Sequence, residues 1–355
     1  MQTVLFSDGG TEGMRLRRDL SLALPCKLLL PDRLTADDLR AANVIVSNIS
    51  LDDAANVQSL KAALGRHRSA KTPVLCILPD ATHRAVCQAN AIGATTTLPA
   101  NVSRERLLQT VTELLASNTD PKEAPATAIA RASAMQAGVA LAGMLDGVEN
   151  GAPISDAVLT QGTDHVLNAI TNVQIRNWLS VVWGYDDATY QHCLLVAGLA
   201  ASFACELHFG PVDSRRLVKG ALLHDIGKAR IPFAILNKPG SLTEAEAEIM
   251  RTHPVVGHEL LVAQGGFEPE QLSIVRHHHE YLDGSGYPDG LAGSQIMDIV
   301  RLTTICDIYA AMIERRPYRA PLAPDVAFAQ LHDMGVKLDT ALVAAFRKVA
   351  IACLD

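Results

Sequence analysis

Over roughly the first 118 residues, short apolar runs rich in β-branched residues alternate with longer amphipathic stretches. The runs are TVLFS (3–7), CKLLLP (26–31), VIVSN (44–48), VLCILP (74–79) and TTTLP (95–99). Between them lie segments of helical period, such as GMRLRRDLSLAL and LDDAANVQSLKAALGRH, and SRERLLQTVTELLASN closes the set. Five β–α units of this length predict a parallel sheet covered by helices on both faces. The stretch SNTDPKEAPATA (117–128) is polar and contains proline, as a linker does. From there to about residue 182 the chain is Ala-rich with helical period, and beyond 185 it is helical throughout. Leu159, Val166, Ile170 and Val173 form a stripe that suits either a helix packed on its own domain or a dimer helix. The pattern divides the chain into an α/β domain at 1–118, a helical connector at 119–150 and an all-α domain at 151–355.

A length of 355 residues fits two domains, and 48% hydrophobic with 19% charged residues fits a globular chain. The net charge of −7 provides no positive field for DNA or an anionic membrane, so a nucleotide ligand would be small and gripped locally. Seven scattered cysteines without a CxxC pair support neither a disulfide framework nor a zinc ribbon. The start MQTVLFSDGG lacks the features of a signal peptide. The most apolar run, Leu194 to Cys205, is short against the roughly 20 residues of a membrane span. The expectation is a soluble, cytoplasmic protein.

The spacing of the N-terminal runs resembles the receiver domain of response regulators, which has a flavodoxin-like fold. A receiver carries a phosphoryl-accepting aspartate at the end of its third strand, where this chain has Ser47 and Asn48. It has a Ser or Thr where Leu78-Pro79 stands and a Lys where Leu98 precedes Pro99. Asp8 survives near the first strand, but one carboxylate makes no phosphorylation site. The resemblance therefore implies a degenerate receiver serving partner docking, dimerisation or fold support.

Chemistry gathers in the helical half, where ten of the twelve histidines lie from His165 onward and six fall within 224–279. In LLHDIGKARIP (222–232), His224 and Asp225 diverge by ~100° around a helix, and Lys228 shares their face. Such a pair can bracket a metal centre, with the carboxylate free to bridge; a surface His-Asp pair is the plainer reading. His192 sits in an apolar helix, where a lone histidine is more often a satisfied core residue. Pro254 fits the first turn of a helix and leaves His253 at its edge, with His258 further along. Asp307 lies in an apolar helical run, where burial is costly unless the carboxylate is paired or metal-bound. RHHHEYLDGSGYPDG (276–290) sets three adjacent histidines before a glycine-rich turn.

The order HDIGK (224–228), KPGSLT (238–243), HPVVG (253–257), HHEYLDGSGYP (278–288) and RPYR (316–319) is similar to the HD-GYP family of the HD hydrolase superfamily. The match covers about 185–320 and implies an all-α bundle that hydrolyses cyclic di-GMP to linear pGpG, with a further cut to GMP left open. By register it implies metal ligands at His192, His224, Asp225, His253, His278, His279 and Asp307, leaving His277 without a role. Seven N/O ligands without thiolate suit a pair of divalent transition-metal ions, iron or else manganese. A water shared by the ions would be the nucleophile, with Lys228 balancing charge on the phosphoryl oxygens. Asp225 and Lys228 are thus the implied catalytic pair, and Lys228, Tyr287, Arg316 and Arg319 the implied substrate contacts. Ala188 stands where members with a third metal have Glu, Phe233 where the family has Asp in its IPD motif, and Ala310 where many have a second Asp. A general HD-type nucleotide hydrolase fits less well, since it lacks the GYP and RPYR elements. A weakly active or inactive regulatory module that binds the dinucleotide or a protein partner is the alternative.

Overall fold

The computed structural model describes residues 3–21, 26–30, 36–51, 54–67, 71–80, 82–116, 124–185, 187–236, 238, 240–315 and 320–353. Two compact units emerge, Met1–Ala124 with Gly184–Asp187, and Pro125–Trp183 with Ala188–Asp355.

The first unit runs β1 (Thr3–Phe6), α1 (Thr11–Ser21), β2 (Cys26–Leu29), α2 (Ala36–Ala41), β3 (Val44–Ser47), α3 (Ala54–His67), β4 (Val74–Leu78), α4 (His83–Ala91), β5 (Thr96–Pro99) and α5 (Arg104–Ala116). Each strand falls inside one of the five apolar runs. All neighbours pair in parallel, in the order β2-β1-β3-β4-β5. Strands inside a parallel sheet are covered on both faces, and the chain obeys that rule. The inner β1, β3 and β4 are buried at every residue, whereas the edges β2 and β5 carry exposed positions.

Among the described residues the second unit is helical apart from an isolated bridge between Asp283 and Ala292. It runs α6 (Pro125–Glu149), α7 (Asp156–Asn172), α8 (Ile175–Val182), α9 (Ala188–Glu206), α10 (Pro211–Leu223), α11 (Phe233–Leu236), α12 (Glu244–Met250), α13 (His253–Gln264), α14 (Pro269–His277), α15 (Asp298–Ile313), α16 (Pro324–Asp333) and α17 (Thr340–Ala352). Helix α9 is buried along nearly its whole length because α7, α8, α10, α15 and α17 all pack on it. Its largely apolar sequence, Leu194 to Ala204 above all, is what such a central position requires.

Two expectations change. The connector drawn at 119–150 is mostly α6, a 25-residue helix that packs on α7 and belongs to the second unit; residues 117–123 of the linker lie outside the described ones. The stripe on α7 resolves as core, since Leu159 and Val166 are fully buried.

Among the described residues α6 and α9 are long and apolar enough to cross a membrane, at 25 and 19 residues, so the run judged short is part of a longer helix. Within the protein, 67% and 78% of their most apolar windows are buried, as in core helices.

Candidate metal centre

Six structural elements deliver the polar side chains of the second unit to one place. His192 comes from the first half of the central helix α9, and Asp307 from the middle of α15. Helix α10 ends at Leu223, so His224 caps it and Asp225 opens the 3-10 turn Ile226–Arg230. This turn packs against the start of α13, where His253 is the first helical residue. The approach is close: a Cβ on Gly227 would come within 2.0 Å of the His253 carbonyl oxygen, so only glycine allows it. Helix α14 stops at His277, which turns His278 and His279 inward.

All seven histidines and aspartates singled out from the motifs meet here. They form three overlapping groups, His253–His278–His279, His192–His224–Asp307 and His224–Asp225–His278, each with its donor atoms within 4.8 Å of one another. His192, His224, Asp225, His253, His278 and Asp307 are buried, and the His279 side chain keeps 24% of its surface exposed. His277 lies outside these groups. Its Nε2 is 3.0 Å from Asp289 Oδ2 and its Nδ1 is 3.2 Å from Ser273 Oγ.

Hydrogen bonds set which imidazole nitrogen faces the centre. Nδ1 of His224 lies 2.6 Å from the Ala221 carbonyl, and Nδ1 of His253 lies 2.7 Å from that of Met250. Nδ1 of His278 lies 3.1 Å from the carbonyls of Ile274 and Val275. A carbonyl accepts only, so each Nδ1 carries a proton and Nε2 is the nitrogen turned inward, where a neutral ring offers its lone pair. Nε2 of His253 and His278 then stand 3.3 Å apart. His224 Nε2 and Asp225 Oδ1 are buried with no hydrogen-bond partner. Orphaned lone pairs of this kind are costly unless a cation shares them. The donor set of imidazole nitrogen and carboxylate oxygen fits divalent metals.

Asp225 faces two ways. Its Oδ1 is 3.1 Å from His253 Nε2 and 3.9 Å from that of His278, while Oδ2 is 3.3 Å from His224 Nε2 and 3.8 Å from that of His192. Burial would raise its pKa, but the adjoining ammonium of Lys228 holds it well below the usual carboxylate range. Lys228 donates to Asp225 Oδ2 at 2.5 Å, and that pairing outweighs burial to keep the ammonium charged. Burial pushes the pKa of His278 down and that of His279 down to about 4, the latter against the pull of Asp307. His192 goes the other way: burial disfavours its charge, but Asp307 and Glu314 lift it to about 10.

Tyr287 stacks on His279 with ring centroids 4.7 Å apart. The loop carrying it is built around Glu280, whose carboxylate accepts from the backbone N–H groups of Asp289, Gly290 and Leu291 at 2.7, 3.0 and 3.1 Å. A Cβ on Gly286 would fall 2.5 Å from the Glu280 backbone, so the loop closes only over glycine. Arg316 and Arg319 lie outside the described residues. Ala188 begins α9, Ala310 is fully buried in α15, and Phe233 is 67% exposed.

Sequence reasoning missed Glu280 as the organiser of the loop and Glu314 as a partner of His192. The acid after two histidines was visible in the motif, but its three loop N–H partners were not. Glu314 carried no spacing signal at all.

Residues 173–342 match the HD domain family. The helical unit carries an HD domain. A cyclic di-GMP phosphodiesterase of Pseudomonas aeruginosa is 36% identical over 163 residues, covering 46% of this chain and 39% of that protein. The cyclic di-GMP phosphodiesterase response regulator RpfG of Xanthomonas campestris is 41% identical over 150 residues, covering 42% and 39%. A 3'3'-cGAMP-specific phosphodiesterase of Vibrio cholerae is 36% identical over 161 residues, covering 45% and 35%. The chain thus spans well under half the length of these curated relatives. Among solved structures, an HDG"Y"P protein of Bdellovibrio bacteriovorus shares the fold at 21% identity, with a TM-score of 0.53 over 69% of this chain and 78% of that one.

Proposed function

We propose that this chain hydrolyses cyclic di-GMP to linear pGpG, with or without a further cut to GMP, at a binuclear centre in its HD domain. The observation that carries the reading is Asp225, whose oxygens face different histidine sets as a bridging carboxylate's would. His192, His224 and Asp307 would hold one ion and His253, His278 and His279 the other, iron or else manganese, with Asp225 between them. When bound, such a pair acidifies a shared water and neutralises charge on a phosphoryl group.

The protein groups supply the rest. Lys228 fixes Asp225 and keeps a positive charge at the edge of the cluster, where charge builds on phosphoryl oxygens in the transition state. Tyr287, packed on His279, presents its ring and hydroxyl to a substrate lying over that histidine. Arg316 and Arg319 are assigned to the dinucleotide by the family motif alone. Burial excludes bulk water from six of the seven ligands, so charges there act through a low dielectric.

The α/β unit has the flavodoxin-like strand order. We assign it as a degenerate receiver that docks a protein partner or a second copy of the chain in the cytoplasm. Ser47, with no charge to hold Mg²⁺, ends the strand where an acceptor aspartate would stand. The deciding experiment incubates the full chain, loaded with iron or with manganese, with cyclic di-GMP and resolves pGpG and GMP by chromatography. Release of pGpG supports the reading. Binding without cleavage under both metals replaces it with a regulatory module that senses the dinucleotide.

A further inference from the structure

We infer that Glu314 is a positioning residue for one half of the metal centre, acting through the imidazole of His192. The inference rests on the metal-centre reading above and adds a residue that no ligand motif contains.

Glu314 follows the last residue of α15 and is only 3% exposed. Its Oε2 lies 3.1 Å from His192 Nδ1, across 122 residues of sequence. On the other side of the ring, Nε2 lies 2.8 Å from Asp307 Oδ1. The remaining inward-facing histidines differ: His224, His253 and His278 give Nδ1 to neutral backbone carbonyls. His192 alone among these four sets its Nδ1 against a full negative charge. A carboxylate accepting from Nδ1–H fixes the tautomer and ring plane and makes Nε2 a stronger donor.

The surrounding contacts hold Glu314 in that pose. The Trp183 indole donates to the Ile313 carbonyl at 3.0 Å, and the Arg315 amide donates to Gln191 Oε1 at 2.9 Å. Residues 313–315 are therefore gripped one after another, and two of the three grips come from the adjacent Gln191 and His192 of α9. A buried carboxylate that merely filled space would need no such register.

His192 belongs to the His192–His224–Asp307 group and is absent from the His253–His278–His279 group. Loss of Glu314 should therefore weaken one ion and spare the other, an asymmetry that general destabilisation does not produce. The test titrates the metal-free full chain with Mn²⁺ and, separately, with Co²⁺, following loading by calorimetry and the visible cobalt bands. In Glu314→Ala, one of two loading steps should weaken by about 10–100-fold, the usual cost of losing such a partner. Its cobalt bands should shift, while the second step keeps its wild-type constant. Glu314→Gln keeps an oxygen acceptor without the charge and should fall between the two. If Glu314→Ala does not fold, Glu314→Gln carries the test: a shift in one step supports the inference and an unchanged titration overturns it. Equal weakening of both steps also overturns it. A wild type that takes up neither ion fails the metal-centre reading itself, which separates that failure from this one.

Discussion

Asp19 in the α/β unit and Asp225 in the HD domain are buried to the same degree, each 1% exposed, yet their surroundings are opposite in kind. Asp19 is neutralised by guanidinium groups: Arg104 at 3.1 Å, Arg15 at 3.2 Å and Arg18 at 3.5 Å. Permanent cations satisfy it completely, and such a site needs nothing from outside. Asp225 has one lysine, a ring of imidazoles whose protons point elsewhere, and an Oδ1 with no hydrogen-bond donor. Burial of a charge therefore says little about function; the informative feature is whether the protein itself completes the pairing.

The largest effect should come from removing Asp225. Asp225→Ala or His278→Ala should abolish both metal loading and dinucleotide turnover, because each deletes a donor shared within the cluster. Elemental analysis of the purified, folded variants checks this. Wild-type metal content in Asp225→Ala would erase the contrast with Asp19.

Next comes Lys228. An interaction made stronger in the transition state changes turnover more than ground-state affinity. Lys228→Ala should lower kcat by about 10²-fold, the order found when one charge-stabilising donor is lost. Since its ammonium sits on Asp225 Oδ2, removing it frees a carboxylate oxygen for metal, so metal content should hold. A variant that loses metal along with turnover would make Lys228 a clamp on Asp225 instead.

What the sequence disclosed follows from how local each signal is. The three inner strands were legible because burial on both faces demands uninterrupted apolar runs, and VLCIL is one. The seven side chains that meet in the cluster stood out through the order of several short motifs. Glu314 was not, because its contact with His192 depends on how α9 and α15 pack rather than on any spacing. Lys228 was placed on the correct face, but its commitment to Asp225 could not be read from helical angles. The connector at 119–150 misled because an Ala-rich helix reads alike whether it links domains or packs inside one.

Asp19→Ala should cost stability without touching the metals. The loss should be about 1–3 kcal/mol, below the 3–5 kcal/mol of a wholly buried broken pair, since Arg15 and Arg18 still reach water. Chemical denaturation of the full chain, with metal content measured alongside, reads both quantities. Metal loss in Asp19→Ala would mean that its role is not confined to the α/β unit.

The smallest effect should belong to His277, and it sharpens the comparison within a single tripeptide. His278 and His279 point into the cluster, while His277 ends α14 and reaches Asp289 and Ser273. Asp289 does not depend on it, because Arg276 already holds that carboxylate with two bonds of 2.7 and 2.8 Å. The loop over His279 is also tied separately, through Glu280 to the amides of 289–291. His277→Ala thus removes one partly exposed hydrogen bond from a site that keeps its stronger partner. Such bonds contribute about 0.5–1.5 kcal/mol. The variant should melt within a few degrees of wild type and retain its metals, with kcat unchanged and at most a small rise in KM through the loop. A His277→Ala protein that loses metal while His278→Ala keeps it would shift the ligand register by one residue. In that case the geometric difference between these adjacent histidines would have no chemical meaning.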